Sequence, residues 1–114
     1  MENLRKSSRV EAQHFISYDL KDEKGETVLS GMALSRDLSQ KGVQMQDRTA
    51  FPQDAAIQIH IAVGNEVVDI DGRVRHIEKM EDNEYRIGIE FVHIDSAKLE
   101  KLARFYPEIL SQPR

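Results

Sequence analysis

The 114 residues contain no cysteine, which removes a disulfide framework and a thiolate nucleophile from the outset. A reducing compartment is compatible with that absence. No apolar run approaches the length needed to cross a bilayer, and the first residues are charged and polar, so the chain reads as soluble and cytoplasmic. It also lacks an excess of positive charge: 16 Lys and Arg stand against 20 Asp and Glu, a formal net charge of -4. Nucleic-acid backbones reward a broad basic surface, so a general nucleic-acid binder is disfavoured. An RNA-binding barrel would also need aromatics on a basic outer face, and aromatics are only 6% of this chain, with Phe15 the one outward candidate on a strand. His14, His60, His76 and His93 are scattered with no close pair, which argues against zinc. No strained nucleophile elbow surrounds Ser39 and no histidine partner for it can be identified, so an enzyme is not expected.

What is present is a set of short two-residue periods. The length suits one domain with a real core. Residues 1–11 are polar and aperiodic, as expected of a terminal arm. His14, Ile16, Tyr18 and Leu20 alternate with Phe15, Ser17 and Asp19 in a first strand. Lys21 to Glu26 then reads as a hairpin turn around Gly25. Thr27 to Arg36 is extended, with Gly31 expected to mark a bend or bulge. Val43 and Met45 resume the period after a polar connection, and Phe51-Pro52 breaks it. Ile57, Ile59, Ile61 and Val63 form the clearest inward row before a turn at Gly64-Asn65. The next row is Val68, Ile70, Gly72 and Val74, extended to His76, with Asp69, Asp71, Arg73 and Arg75 on the other face. Tyr85, Ile87, Ile89 and Phe91 complete the set.

Five or six antiparallel strands with one polar face each are best accommodated by a closed barrel or a tight sandwich. From Asp95 the period lengthens: Leu99, Leu102, Ala103 and Tyr106 recur at helical spacing, Asp95 or Ser96 can cap, and Pro107 stops the helix. So short a helix is expected to pack as a lid on the sheet, or on a partner's. Phe105 and Tyr106 are adjacent and cannot both face one core. Met32, Met45 and Met80 read as gap fillers. No internal repeat is visible, and Ser111 to Arg114 looks like a frayed tail.

Two polar stretches fall outside this periodicity. In the first, Arg5 and Arg9 stand four apart with Lys6 between them. Arginine offers a planar fork of donors that matches phosphate oxygens and a flat face that stacks on a purine. The second, Asp37-Leu38-Ser39-Gln40-Lys41-Gly42, holds an acceptor suited to the N–H edge of guanine, a hydroxyl for phosphate or for capping a turn, and a glycine that permits close approach. Asp, Ser and Gly are also ordinary turn formers. Arg73 and Arg75 could extend a ligand wall, or could pair with Asp69, Asp71 or Glu90 across strands.

Together the Arg5/Arg9 pair and the Asp37, Ser39, Gly42 set resemble the two signature motifs of the PilZ domain family. Tyr85-Arg86-Ile87-Gly88-Ile89-Glu90-Phe91 and Asp71-Gly72-Arg73-Val74-Arg75 are similar to that family's late barrel strands, so the resemblance covers nearly the whole chain. It implies an all-β fold, a small antiparallel six-stranded β-barrel of split-barrel topology with a C-terminal α-helix. The divisions expected are an arm over 1–11, a barrel over 12–94 and a helical segment over 95–110.

The resemblance also implies a ligand, cyclic di-GMP, a compact dianion with two guanines. Arg5 and Arg9 would grip phosphates and stack on guanines, Asp37 and Ser39 would contact guanine and phosphate, and Gly42 would let the strand start close to the ligand. Lys41, where relatives often carry a second glycine, would add positive charge, and Arg73 and Arg75 are further candidates. Relatives often carry another arginine directly before the pair, which favours a stacked pair of ligands; here that residue is Leu4. The expectation is a receptor whose arm folds over the nucleotide and changes the surface shown to an unidentified bacterial protein partner. Motility, pilus and exopolysaccharide systems are the implied processes, with the output passing to another protein. The alternative is a PilZ-like protein–protein adaptor with little or no nucleotide affinity.

Overall fold

The computed structural model describes residues 14–106 and residue 109. Within them, six strands run as β1 (His14–Lys21), β2 (Thr27–Arg36), β3 (Gly42–Asp47), β4 (Ala56–Val63), β5 (Glu66–Lys79) and β6 (Tyr85–His93), followed by the helix α1 (Ser96–Phe105). All pairings are antiparallel. They close into a barrel in the order β1-β2-β3-β6-β5-β4, which removes the exposed edges an open sheet of this size would leave.

The inward rows are those the alternation predicts. Ile16, Tyr18 and Leu20 of β1, Ile57, Ile59, Ile61 and Val63 of β4, and Ile87, Ile89 and Phe91 of β6 are buried in one core. Tyr18 is the exception in chemistry, because its hydroxyl must find a partner inside the wall. It donates to Asp47 Oδ2 at 2.7 Å, and burial together with that carboxylate pushes its pKa up to about 12. Gly31 makes room for it: a β-carbon there would stand 2.8 Å from the Tyr18 oxygen. Gly31 is therefore no bulge, and the β1–β2 register runs through it unbroken, opposite Tyr18.

The bulges lie elsewhere. On β5, Val74 pairs with Ile89 and His76 with Gly88, so Arg75 is an extra residue without a partner across the ladder. That shift corrects the expected inward row. His76 is turned outward and exposed, and Ile77 packs against the core instead. Met32 is likewise not a gap filler, being 62% exposed on the outer wall, whereas Met45 is fully buried.

The helix closes one end of the barrel. Asp95 caps it by accepting from the Lys98 backbone N–H at 2.9 Å, which satisfies one of the donors left open in a first turn. Leu102 is fully buried in the barrel core, Tyr106 packs partly against it, and Phe105 faces out. Ile109, beyond the helix, is also fully buried. Among the described residues no helix is long and apolar enough to cross a membrane.

Candidate functional site

The loop between β2 and β3, with the first residue of β3, carries four of the eight candidate residues, Asp37, Ser39, Lys41 and Gly42, and its shape follows from Asp37, Leu38 and Ser39. Asp37 leaves β2 in the left-handed region, at φ 52°, a conformation aspartate tolerates better than most side chains. Leu38 turns inward and is buried. Ser39 then closes the turn: its backbone N–H donates to the Gly42 carbonyl at 2.8 Å, and its Oγ accepts from the N–H groups of Lys41 and Gly42 at 3.1 and 3.2 Å. The serine therefore acts in its turn-capping role. Its own proton points at the Gly42 carbonyl over a longer 3.3 Å, so it can be redirected to a ligand at little cost.

Gly42 is required for a reason internal to the barrel. A β-carbon there would stand 2.0 Å from the Ile89 carbonyl oxygen, while the Lys41 carbonyl accepts from Phe91 N–H at 2.8 Å. The loop is thus bolted to β6 at its exit. Gln40 adds a second tie, its side-chain amide donating to the Ile109 carbonyl behind the helix.

Outside this loop the wall of the barrel forms an open cavity of about 420 Å³, lined by Asp37, Ser39, Lys41, Gly42, Gln44, Arg75, Gly88 and Glu90 together with Val43 and Ile89. Five of the sequence-predicted residues meet here: Asp37, Ser39, Lys41, Gly42 and Arg75. Arg73 does not join them. Its guanidinium donates to the Asp54 carbonyl at 3.0 Å, and it lines a separate groove beside the β1–β2 hairpin. Arg5 and Arg9 lie outside the described residues. The point where their segment joins the barrel is defined, because His14 pairs with Ser35, two residues before Asp37.

Arg75 reaches the cavity through the β5 bulge, a distortion that re-aims a side chain. Its Nε donates to Glu90 at 2.7 Å and one terminal nitrogen to Asp54 at 3.0 Å. The cross-strand pairing considered for Arg75 therefore exists, with Glu90 and with an acid that strand alternation did not suggest. These bonds, Glu90's first, further favour its charged form.

Sequence reasoning missed Gln44, Gly88 and Glu90. Gln44 and Glu90 lie on outward positions of the strands that flank the loop, a signal that alternation supplied but that needs the β3–β6 pairing to be useful. At the β2 edge, Arg36 pairs with Gln44, and among the described residues its buried Nε has no hydrogen-bond partner. Among the described residues no group of three His, Asp or Glu could hold a metal ion.

The class the structure defines is a closed antiparallel β-barrel with a terminal helix and a polar cavity on its outer wall. The particular family follows from comparison: a family model described as PilZ domain matches residues 3–107, and the chain belongs to the PilZ domain family. It is a non-catalytic, PilZ-type regulatory domain of bacterial signalling. The solved structure of K. pneumonia MrkH in its apo state is similar at a TM-score of 0.65 and 15% identity, over 90% of this chain and 50% of that one. The Bacillus subtilis inhibitor of motility, MotI/DgrA, gives 0.63 and 17%, over 93% and 51%. The PilZ domain of CeSA from a cellulose-synthesizing bacterium gives 0.55 and 14%, over 87% and 95%. At such identities the likeness is one of fold, and the chain spans about half the length of the first two. A sequence search of curated proteins finds no match.

Proposed function

We propose that this PilZ domain is a receptor for cyclic di-GMP that regulates a partner protein by changing its surface when the ligand binds. The observation that carries the reading is the meeting of Asp37, Ser39, Lys41 and Arg75 around one outer cavity, beside the strand end to which the Arg5/Arg9 segment is joined. Arginine forks and stacks, a carboxylate for a guanine edge and a redirectable hydroxyl are the groups a purine dinucleotide needs. In this reading residues 1–11 close over the nucleotide, and the remade surface is the output. Motility, pilus or exopolysaccharide systems are the proposed context, and the first of these is the process named for the Bacillus protein of similar fold.

Isothermal titration with cyclic di-GMP, with GTP and cyclic AMP as controls and Arg9→Ala as a second sample, tests it. Saturable binding selective for the dinucleotide and lost in the variant is expected, and its stoichiometry answers the question raised by Leu4. A second reading, a protein-binding adaptor with little nucleotide affinity, is favoured by the exposure of Phe15, Met32 and Phe105 at 65%, 62% and 53%. Absence of binding at high micromolar protein would select it.

A further inference from the structure

The cavity contains a second carboxylate that the receptor reading leaves without a role. Glu90 points outward on β6, opposite Gly42 on β3, and its side chain is 57% exposed. An exposed acid beside the binding place of a dianion is unfavourable unless its charge is offset or used. Here it is offset: Arg75 Nε holds Oε1 at 2.7 Å.

The backbone around the pair is shaped to present it. Arg75 is the unpaired residue of the β5 bulge, and Gly88 stands across the ladder next to that bulge, opposite His76. Gly88 lies on the outer wall between the inward Ile87 and Ile89 and lines the cavity, and a β-carbon there would stand 3.3 Å from the His76 β-carbon. Glu90, held by Arg75, stands beside this glycine in the wall of the cavity.

A carboxylate offers about four acceptor sites on its two oxygens. Arg75 occupies one, and among the described residues Oε2 has no hydrogen-bond partner. Guanine presents two adjacent donors, N1–H and the N2 amino group, that suit such an acceptor edge. Adenine presents a bare N1 acceptor at the corresponding place, which a carboxylate repels.

We propose that Glu90 is a specificity-determining residue that accepts from a guanine edge of the ligand, with Arg75 as the positioning residue that orients it and cancels its charge. The assignment rests on the receptor reading above. The competing physical account has the opposite sign. If Glu90 only occupied Arg75, removing it would free that guanidinium for a phosphate, and affinity would rise.

The experiment is calorimetric titration of the full chain, wild type and the Glu90→Ala, Glu90→Gln and Arg75→Ala variants, with cyclic di-GMP and cyclic di-AMP, alongside thermal melts. A well-placed base-edge contact discriminates by about tenfold to a hundredfold. The expected result is a loss of that order for cyclic di-GMP in Glu90→Ala with no loss for cyclic di-AMP. The guanine preference narrows most in Glu90→Gln, whose amide can pair with adenine, and narrows again in Arg75→Ala. Unchanged or tighter cyclic di-GMP binding by folded Glu90→Ala, with the preference intact, overturns the assignment alone. Failure of the wild-type chain to bind either dinucleotide overturns the receptor reading as well.

Discussion

At the scale of single residues, Gly42 and Ser39 show that a family motif can be required by the barrel before any ligand arrives. Gly42→Ala would push a β-carbon against the Ile89 carbonyl, and the β3–β6 ladder must open to admit it. A loss of about 1–3 kcal/mol, typical of overpacking, is expected, seen as a lower urea midpoint at unchanged slope. A loss of binding in that variant would then report the barrel rather than a contact. Arg9→Ala is the cleaner probe: a desolvated charged contact is expected to weaken cyclic di-GMP binding by about 2–5 kcal/mol, with Lys6→Ala far milder. Equal, small effects in a titration would leave only diffuse electrostatics. His60 of β4 gives a pH signature of its own. It lies between Asp69 of β5 at 2.6 Å and Asp19 of β1 at 2.9 Å, and Asp19 is in turn held by the Ser30 hydroxyl. Partial burial opposes the imidazolium, but the two carboxylates outweigh it and raise its pKa. The stability this adds is full below the ordinary histidine value and is lost as pH rises through the raised one. Asp19, whose pKa the Ser30 and His60 hydrogen bonds lower, adds stability above the ordinary carboxylate value that is lost as pH falls through the lowered one. The urea midpoint should therefore decline as pH rises from the ordinary histidine value through the raised one, and His60→Gln should remove that decline.

At the scale of elements, the strands were legible because alternation is set locally: a β-strand turns successive side chains to opposite faces. The rows of β1, β4 and β6 could thus be written down from the sequence. The same rule failed at His76, where one extra residue reversed the faces. A bulge is a property of two paired strands, and nothing in Val74-Arg75-His76 alone announces it. Gly31 failed for a related reason, since the atom that demands a glycine there belongs to Tyr18 on another strand. The helix was legible in its cap and its stop, and the core decides its stability. Leu102 is fully buried in the barrel end, so Leu102→Ala should cost about 2–5 kcal/mol in urea denaturation. An undiminished midpoint would mean that the helix is dispensable to the barrel. Ile109 extends this seal and accepts from Gln40 of the β2–β3 loop, which joins the helical end to the candidate site.

At the scale of the whole molecule, the receptor reading depends on where the amino-terminal segment is joined. His14, the first described residue, pairs with Ser35 at the Asp37 end of β2, and the receptor reading requires Arg5 and Arg9 to reach the loop from there. Amide exchange over residues 1–12, with and without cyclic di-GMP, is expected to slow on binding. Strong and equal protection in both states would remove the closing arm. The sequence by itself determined the all-β class, the inward rows of β1, β4 and β6, the terminal helix and the two polar motifs, because periodicity, turn chemistry and caps act over a few neighbouring residues. Only the tertiary structure decided which outward residues share a wall. Barrel closure brings Glu90 and Gln44 to the loop at Asp37, and the bulge turns Arg75 toward them, whereas Arg73, two residues away, is sent to another groove. Those placements depend on strand pairings between distant parts of the chain, and local periodicity carries no information about which strand becomes whose neighbour.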